Sequence, residues 1–144
     1  MNFLACEVDH QGGMIRVRIE GITPEACWSV PETSPWIAPI RDRPPGRVEL
    51  GLRPEHMDIM EGGAGRDIVG PIDSPAISAE VRRLEMLGHE TIVTLGAGPY
   101  DWSIRTDVRR SPREGERLAV HFKPAKGIWF DPDSGAALRA NLGR

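Results

Sequence analysis

Val48-Glu49-Leu50-Gly51-Leu52-Arg53-Pro54-Glu55-His56-Met57-Asp58-Ile59-Met60 opens as a strand and is broken by a proline. Val48, Leu50 and Leu52 alternate with Glu49 and Gly51, the period-two pattern of a half-buried strand. Pro54 fixes φ and removes a ladder donor, so the strand ends there or steps to a sheet edge. Met57, Ile59 and Met60 resume apolar surface beyond the break. By itself this is a buried strand with a proline corner, and no chemistry is demanded of it.

Upstream, Met1 to Val8 predicts a strand and Asp9-His10-Gln11-Gly12-Gly13 a turn, since paired glycines accept φ > 0. Ile15, Val17 and Ile19 then face one way and Arg16 and Arg18 the other, which completes a hairpin. Gly21 to Gly46 holds six prolines, Pro24, Pro31, Pro35, Pro39, Pro44 and Pro45, which exclude a helix and a central strand. Trp28 and Trp36 lie in this segment. They either anchor an irregular loop to the body of the protein or form an aromatic platform for a sugar ring or a partner.

Downstream, Glu61 to Asp67 is a glycine-rich loop without the Lys-Ser/Thr and helix start of a phosphate cradle. Ile77, Ala79 and Val81 alternate in one phase, Leu84 and Met86 in the other. A slip at Arg82-Arg83 is what a β-bulge produces, although residue propensity over Ala79–Leu87 favours a helix capped by Gly88. Thr91 to Leu95 is β-branched strand, Gly96 to Pro99 a turn, and Tyr100, Trp102 and Ile104 another inward face. Arg109 to Arg113 is a basic loop, and Leu118, Val120 and Phe122 a further inward set. Asp131-Pro132 suits the first positions of a type I turn, with Gly135 as its left-handed residue. No repeat is evident.

At 144 residues the chain suits one domain burying roughly two-thirds of its unfolded surface. Thirteen prolines and sixteen glycines favour many short strands over a helical bundle. A net charge of −3 gives no electrostatic footprint for nucleic acid. Cys6 and Cys27 form neither a disulfide framework nor a Cys-x-x-Cys site, and are expected as small buried or half-buried residues in a reducing compartment. The N-terminus lacks a basic, then apolar, signal sequence, and no segment reaches the roughly twenty apolar residues of a membrane helix, so a soluble cytoplasmic protein is expected. The four histidines lack metal-ligand spacing, the serines lack a nucleophile elbow, and no Walker motif or Ser-Gly-Gly signature is present. No metal or cofactor is expected.

Four stretches together resemble one family. Gly51 to His56 is similar to the Gly-Ile-Arg-Pro-Glu-His segment in the C-terminal regulatory domain of sugar-importer ABC ATPases of the maltose and glycerol-phosphate type. That domain belongs to the transport-associated oligosaccharide/oligonucleotide-binding (TOBE) group. Glu85-Met86-Leu87-Gly88-His89-Glu90-Thr91 resembles its Glu-x-Leu-Gly-x-Glu-Thr hairpin, which decides for strand over helix. Trp129 to Gly135 resembles its Leu-Phe-Asp-x-x-Thr-Gly terminus, and Met1 to Leu4 the join with the ATPase domain. A chain opening there suggests a domain excised from a longer protein or a shortened gene product.

The resemblance implies an all-β, OB-like barrel spanning residues 1–144 as a single regulatory domain without its ATPase domain. Arg53, Pro54, Glu55, His56, Gly88, Glu90, Asp131 and Gly135 are then structural or regulatory-surface residues, and Trp28 and Trp36 candidate partner or sugar contacts. It further implies weak pairing with its own copy, ATPase and membrane subunits in a full-length parent, and docking of a cytoplasmic regulator at the inner membrane. The rival is a small-ligand module of the molybdate- or oligosaccharide-binding OB-like group, which should show tandem half-length repeats. Nucleic-acid binding needs a basic groove with stacking aromatics, and the acidic balance opposes it. The chain alone is expected neither to bind nor to hydrolyse Mg-ATP; saturable micromolar binding in calorimetry would contradict this.

Overall fold

Among the described residues the alternating segments become ten strands: β1 (Asn2–Gln11), β2 (Met14–Ile19), β3 (Ala26–Pro31), β4 (Gly46–Leu52), β5 (Met57–Met60), β6 (Ala76–Leu87), β7 (Glu90–Ala97), β8 (Tyr100–Asp107), β9 (Arg117–Phe122) and β10 (Ile128–Phe130). The computed structural model describes residues 1–22, 26–60, 76–107 and 112–139. The glycine-rich loop at Glu61 to Asp67 and most of the basic run from Arg109 lie outside them. Among the described residues one short α-helix, α1 (Ala38–Arg41), follows a 3-10 turn at Pro35–Ile37. The expected all-β, OB-like class holds, and the segment with helix propensity at Ala79–Leu87 lies wholly in β6.

Two five-stranded antiparallel sheets result, ordered β10-β4-β1-β2-β3 and β5-β9-β6-β7-β8. Each half of the chain lays down four neighbouring strands and gives its fifth to the other half. β1 to β4 correspond to β6 to β9, while β5 completes the second sheet and β10 the first. The repeat not evident in the sequence is therefore present in the backbone. Leu50 to Met60 laid over Val120 to Phe130 matches Leu50 with Val120, Leu52 with Phe122, Arg53 with Lys123, Pro54 with Pro124 and Ile59 with Trp129. β5 also lies beside β8, curling the second sheet towards closure.

The prolines act differently from expectation in two places. Pro35 and Pro39 stand at the first positions of the 3-10 turn and of α1, where a missing N–H costs nothing, so a helical turn forms. Ala26 to Pro31 is a strand rather than loop, and it lies at a sheet edge, where Pro31 is tolerated. Trp28 and Val30 point inward from it, while Cys27 is exposed, contrary to its expected burial. The bulge anticipated at Arg82-Arg83 is present as a register shift between Val81 and Arg83. Arg82 lies across Gly96, where a side chain would collide with its guanidinium, and pairs with Asp101 at 2.6 Å.

One apolar core runs through both sheets, from Leu4, Val17 and Leu50 to Val93, Trp102 and Phe122. Between the halves the side chain of Asn2 substitutes for a strand neighbour. Its Nδ2 donates to Ser103 O at 2.7 Å, and Ser103 N donates to its Oδ1 at 2.9 Å. Trp102 Nε1 donates to Phe3 O at 3.3 Å, and the Tyr100 hydroxyl donates to Glu20 O at 2.7 Å. The corresponding turns after β2 and β7 pack on each other: a Cβ on Gly21 would lie 2.7 Å from Pro99, and one on Gly98 would run into Gly21 O.

Gly88 and Gly98 both have positive φ, +67° and +52°, but only Gly98 is hemmed in. Gly88→Ala is expected to cost about 1–2 kcal/mol, the left-handed penalty alone. Gly98→Ala should cost about 3 kcal/mol or more, because the two turns must also part. Urea unfolding that gave equal losses would contradict this packing.

Candidate functional site

Two proline crossovers carry the exchanged strands. Arg53 is extended (φ −74°, ψ 151°), as a residue before proline must be, and Pro54–His56 forms a 3-10 turn closed by His56 N donating to Arg53 O at 2.9 Å. Lys123 is also extended, and Pro124–Lys126 repeats the turn, with Lys126 N donating to Lys123 O at 3.0 Å. Lys123 N donates to His56 O at 3.2 Å, so the two crossovers lie side by side. Arg53, Glu55, Lys123 and Lys126 are exposed, and none has an ion-pair partner among the described residues. His56 is half-buried, with its Nδ1 buried and without a hydrogen bond.

The other sequence-derived candidates are dispersed. Trp28 is 9% exposed and stands edge-on to Phe122, ring centroids 5.6 Å apart. Trp36 is half-buried, stacked on Trp129 at 6.1 Å, and its carbonyl accepts from Trp129 Nε1 at 3.0 Å. Asp131 closes the turn after β10: its Oδ1 accepts from Asp133 N at 2.8 Å and Ser134 N at 2.9 Å, and its Oδ2 faces Arg43 at 3.3 Å. Gly135 has φ +73° and donates its N–H to Asp131 O at 2.8 Å. Gly88 and Glu90 stand at the β6–β7 tip, where Glu90 pairs with Asp107 of β8, the strand that the first crossover contacts.

The chemistry of these places is that of surfaces. Among the described residues no three His, Cys, Asp or Glu side chains gather in a metal-binding group. Burial, above all, pushes the Cys6 thiol up to about 12, leaving it protonated and unreactive at neutral pH. Burial also raises Tyr100, whose hydroxyl is spent on joining the halves. An open groove along β1 and β2 is lined by Glu7, Asp9, Arg16 and Arg18, and Arg18 already pairs with Glu7.

Sequence reasoning found the first crossover and missed its double. The signal was Lys123-Pro124 standing where Arg53-Pro54 stands, between an apolar alternation and a further short strand. Also missed was an apolar cluster on the outer face of the first sheet. Phe3 and Ile128 are the cross-strand neighbours of Gly51, and a Cβ there would lie 2.6 Å from the Met1 sulfur and 2.8 Å from the Phe130 ring. Phe3 and Phe130 meet edge to face at 5.8 Å.

Residues 50–130 match the family model of the TOBE domain, a span that starts just before the first crossover and ends just after the second. The chain is 38% identical over 63 residues to the multiple sugar-binding transport ATP-binding protein MsmK of Streptococcus mutans, covering 44% of this chain and 17% of that protein. It is 31% identical over 96 residues to the sn-glycerol-3-phosphate import ATP-binding protein UgpC of Cupriavidus pinatubonensis, covering 67% of this chain and 23% of that protein. The matches thus span about a fifth of these curated relatives. Among solved structures, the cytoplasmic molybdate-binding protein ModG with molybdate bound superposes with a TM-score of 0.64 at 14% identity, covering 91% of this chain and 96% of that one. This last likeness is one of fold.

The N–H groups of Ser134 and Asp133, then Arg43, hold the Asp131 carboxyl below the usual carboxylate range. A depressed folded pKa stabilises above the unfolded value and is lost as pH falls through the folded one. Asp131→Ala should therefore lower the melting temperature at neutral pH, and the gap to the wild type should close below about pH 3–4. A gap independent of pH would show that the carboxylate charge is irrelevant to the turn.

Proposed function

The chain belongs to the TOBE domain family, and from that premise we propose that it is the regulatory domain of a carbohydrate-importing ABC transporter ATPase subunit, with no catalytic role of its own. The observation that carries the reading is the family match over residues 50–130, together with relatives that are importer ATP-binding proteins. Residues 1–144 then act as one unit, a rigid barrel beside a motor domain supplied by the rest of a subunit. Its partners are that ATPase domain, the transporter's membrane subunits, its own copy and a cytoplasmic regulator. The place of action is the cytoplasmic side of the inner membrane. Among the described residues no helix is long and apolar enough to cross a membrane.

In this reading the barrel works by differential affinity. A partner that binds the surface better in one arrangement of the motor domains shifts the population towards it by that difference and no more. Arg53, Glu55 and His56, on the crossover, and Gly88 and Glu90, on the hairpin tip, offer such surfaces; Asp131 and Gly135 hold a turn. Trp28 and Trp36 are packed against Phe122 and Trp129, which supports their role as anchors.

A second reading, a small-ligand module, is favoured by one observation. The halves repeat each other in topology, the feature expected of molybdate-binding relatives of this fold. Two measurements separate the readings. Under the regulatory reading the chain associates with the separately produced ATPase domain of a glycerol-phosphate-importer subunit in sedimentation velocity. Calorimetry with molybdate, tungstate and maltodextrins then shows no saturable heat. Saturable micromolar binding of one of these ligands, with no association to the ATPase domain, would overturn it in favour of the second.

A further inference from the structure

The two halves differ at one sheet edge. In the second half, Ser103 of β8 turns its N–H and carbonyl away from β7, and Asn2 occupies both. The hairpin turns align the halves: Met14 corresponds to Glu90, Arg18 to Thr94 and, across the ladder, Cys27 to Ser103. Counted back through the bulge, Asn2 corresponds to Ile77, whose side chain has nothing to donate or accept. β3 is the edge strand of its sheet. Glu32 N donates to Gly13 O at 3.0 Å, which fixes the phase of the β2–β3 ladder. Val30 and Trp28 therefore bond to β2, while Cys27 and Ser29 turn their N–H and carbonyl outwards. Both residues are exposed, and among the described residues none of these four groups has a protein partner.

What borders this edge is small and basic. The cross-strand neighbours of Cys27 and Ser29 are Arg18 and Arg16. Arg16 Nη2 lies 3.4 Å from the Cys27 sulfur, so its guanidinium reaches diagonally over β3 towards the edge. Glu7 and Asp9 face the same two arginines from β1, on the side away from the edge. Pro31 ends the open stretch: it has no N–H, and its carbonyl accepts from Ser34 N at 2.9 Å.

We propose that the open edge of β3 takes an extended segment of a partner protein that carries acidic side chains at alternate positions. The segment lies antiparallel to β3. One of its residues exchanges two hydrogen bonds with Cys27, and the residue two places along exchanges two with Ser29. Its side chains alternate between the faces, so those beside Cys27 and Ser29 share the outer face with Arg16, where carboxylates are favoured. Backbone pairing supplies the attraction, and charge selects among segments. The barrel already uses this pairing once, since Asn2 does for Ser103 what the segment does for Cys27. With Pro31 closing one end, the edge is too short to template a growing sheet. The proposal does not rest on the regulatory reading.

Fluorescence anisotropy with a labelled, end-blocked peptide that alternates glutamate with valine tests it. The full chain should bind this peptide saturably in the submillimolar range, and more weakly as salt is raised. Ser29→Pro removes an outward N–H and leaves the β2–β3 bonds in place, as Pro31 does. It should weaken binding about tenfold or more with an unchanged thermal melt. The same peptide methylated on the amides that face β3 needs no variant of the protein, and it should bind as weakly. Arg16→Glu should weaken binding of the glutamate peptide and favour one with lysine in its place. No binding by the wild type, equal binding of the methylated peptide, or a lysine peptide held by the wild type as tightly as the glutamate one would each overturn the proposal. So would wild-type self-association that Ser29→Pro abolishes in sedimentation velocity, which would assign the edge to a second copy. The assay contains no ATPase domain, so this proposal and the regulatory reading can each fail alone.

Discussion

Pro54 and Pro124 each stop a strand and send the chain across to the opposite sheet, and the rest of the architecture depends on that exchange. Without a ladder N–H, and with the preceding residue held extended, neither β4 nor β9 can run on in its own sheet. β5 then brings Met57 and Ile59 to Phe122 and Val120, and β10 brings Trp129 to Leu50. β10 is three residues long, and its few ladder hydrogen bonds, at about 1 kcal/mol net each, would hold it weakly. Burying one indole removes about 150–250 Å² from water, worth about 4–6 kcal/mol as an upper estimate. Trp129, 2% exposed and stacked on Trp36, therefore fixes β10 more than its backbone does.

Exchange makes each half incomplete alone, and the middle of the molecule is fitted accordingly. Asn2 presents both an acceptor and a donor to Ser103, as a neighbouring strand would, so the edge of β8 is satisfied by a side chain. Tyr100 and Trp102 reach from the same strand to the carbonyls of Glu20 and Phe3. Gly21 and Gly98 allow the two corresponding turns to touch where any side chain would hold them apart. The Pro35–Arg41 segment breaks the symmetry: it puts Ile37 and Ile40 into the core and Trp36 over Trp129, whereas in the second half β5 lies directly beside β8.

What was legible in the sequence was local. Alternation gave the strands, the phase slip at Arg82-Arg83 gave the bulge, and Asp131-Pro132 with Gly135 gave the closing turn. The β3 strand escaped because proline counting over Gly21 to Gly46 treated the segment as one unit. Between Pro24 and Pro31, Ala26 to Val30 alternate. The repeat escaped because the halves share a pattern of apolar positions and prolines but few identities. The apolar cluster escaped for a different reason. Gly51 occupies an outward position, and only the register, Phe3 on one side and Ile128 on the other, shows that aromatics cover it. Such pairings join residues far apart in the chain, which no window of sequence contains.

The same division bears on where function can reside. Residues that make the exchange work, Pro54, Pro124, Asn2, Tyr100 and Trp129, are committed to internal contacts and cannot also change partners at low cost. The exposed groups of the crossovers and of the hairpin tip are not so committed: Arg53, Glu55, Lys123 and Lys126 at the former, Glu85, Met86 and Leu87 at the latter. A close-packed body with such exposed groups can meet another surface without rearranging its own interior. On the regulatory reading, a contact on these exposed groups biases the arrangement of the subunits that carry the domain. The size of the bias is set by differential affinity, with no moving part required inside the domain.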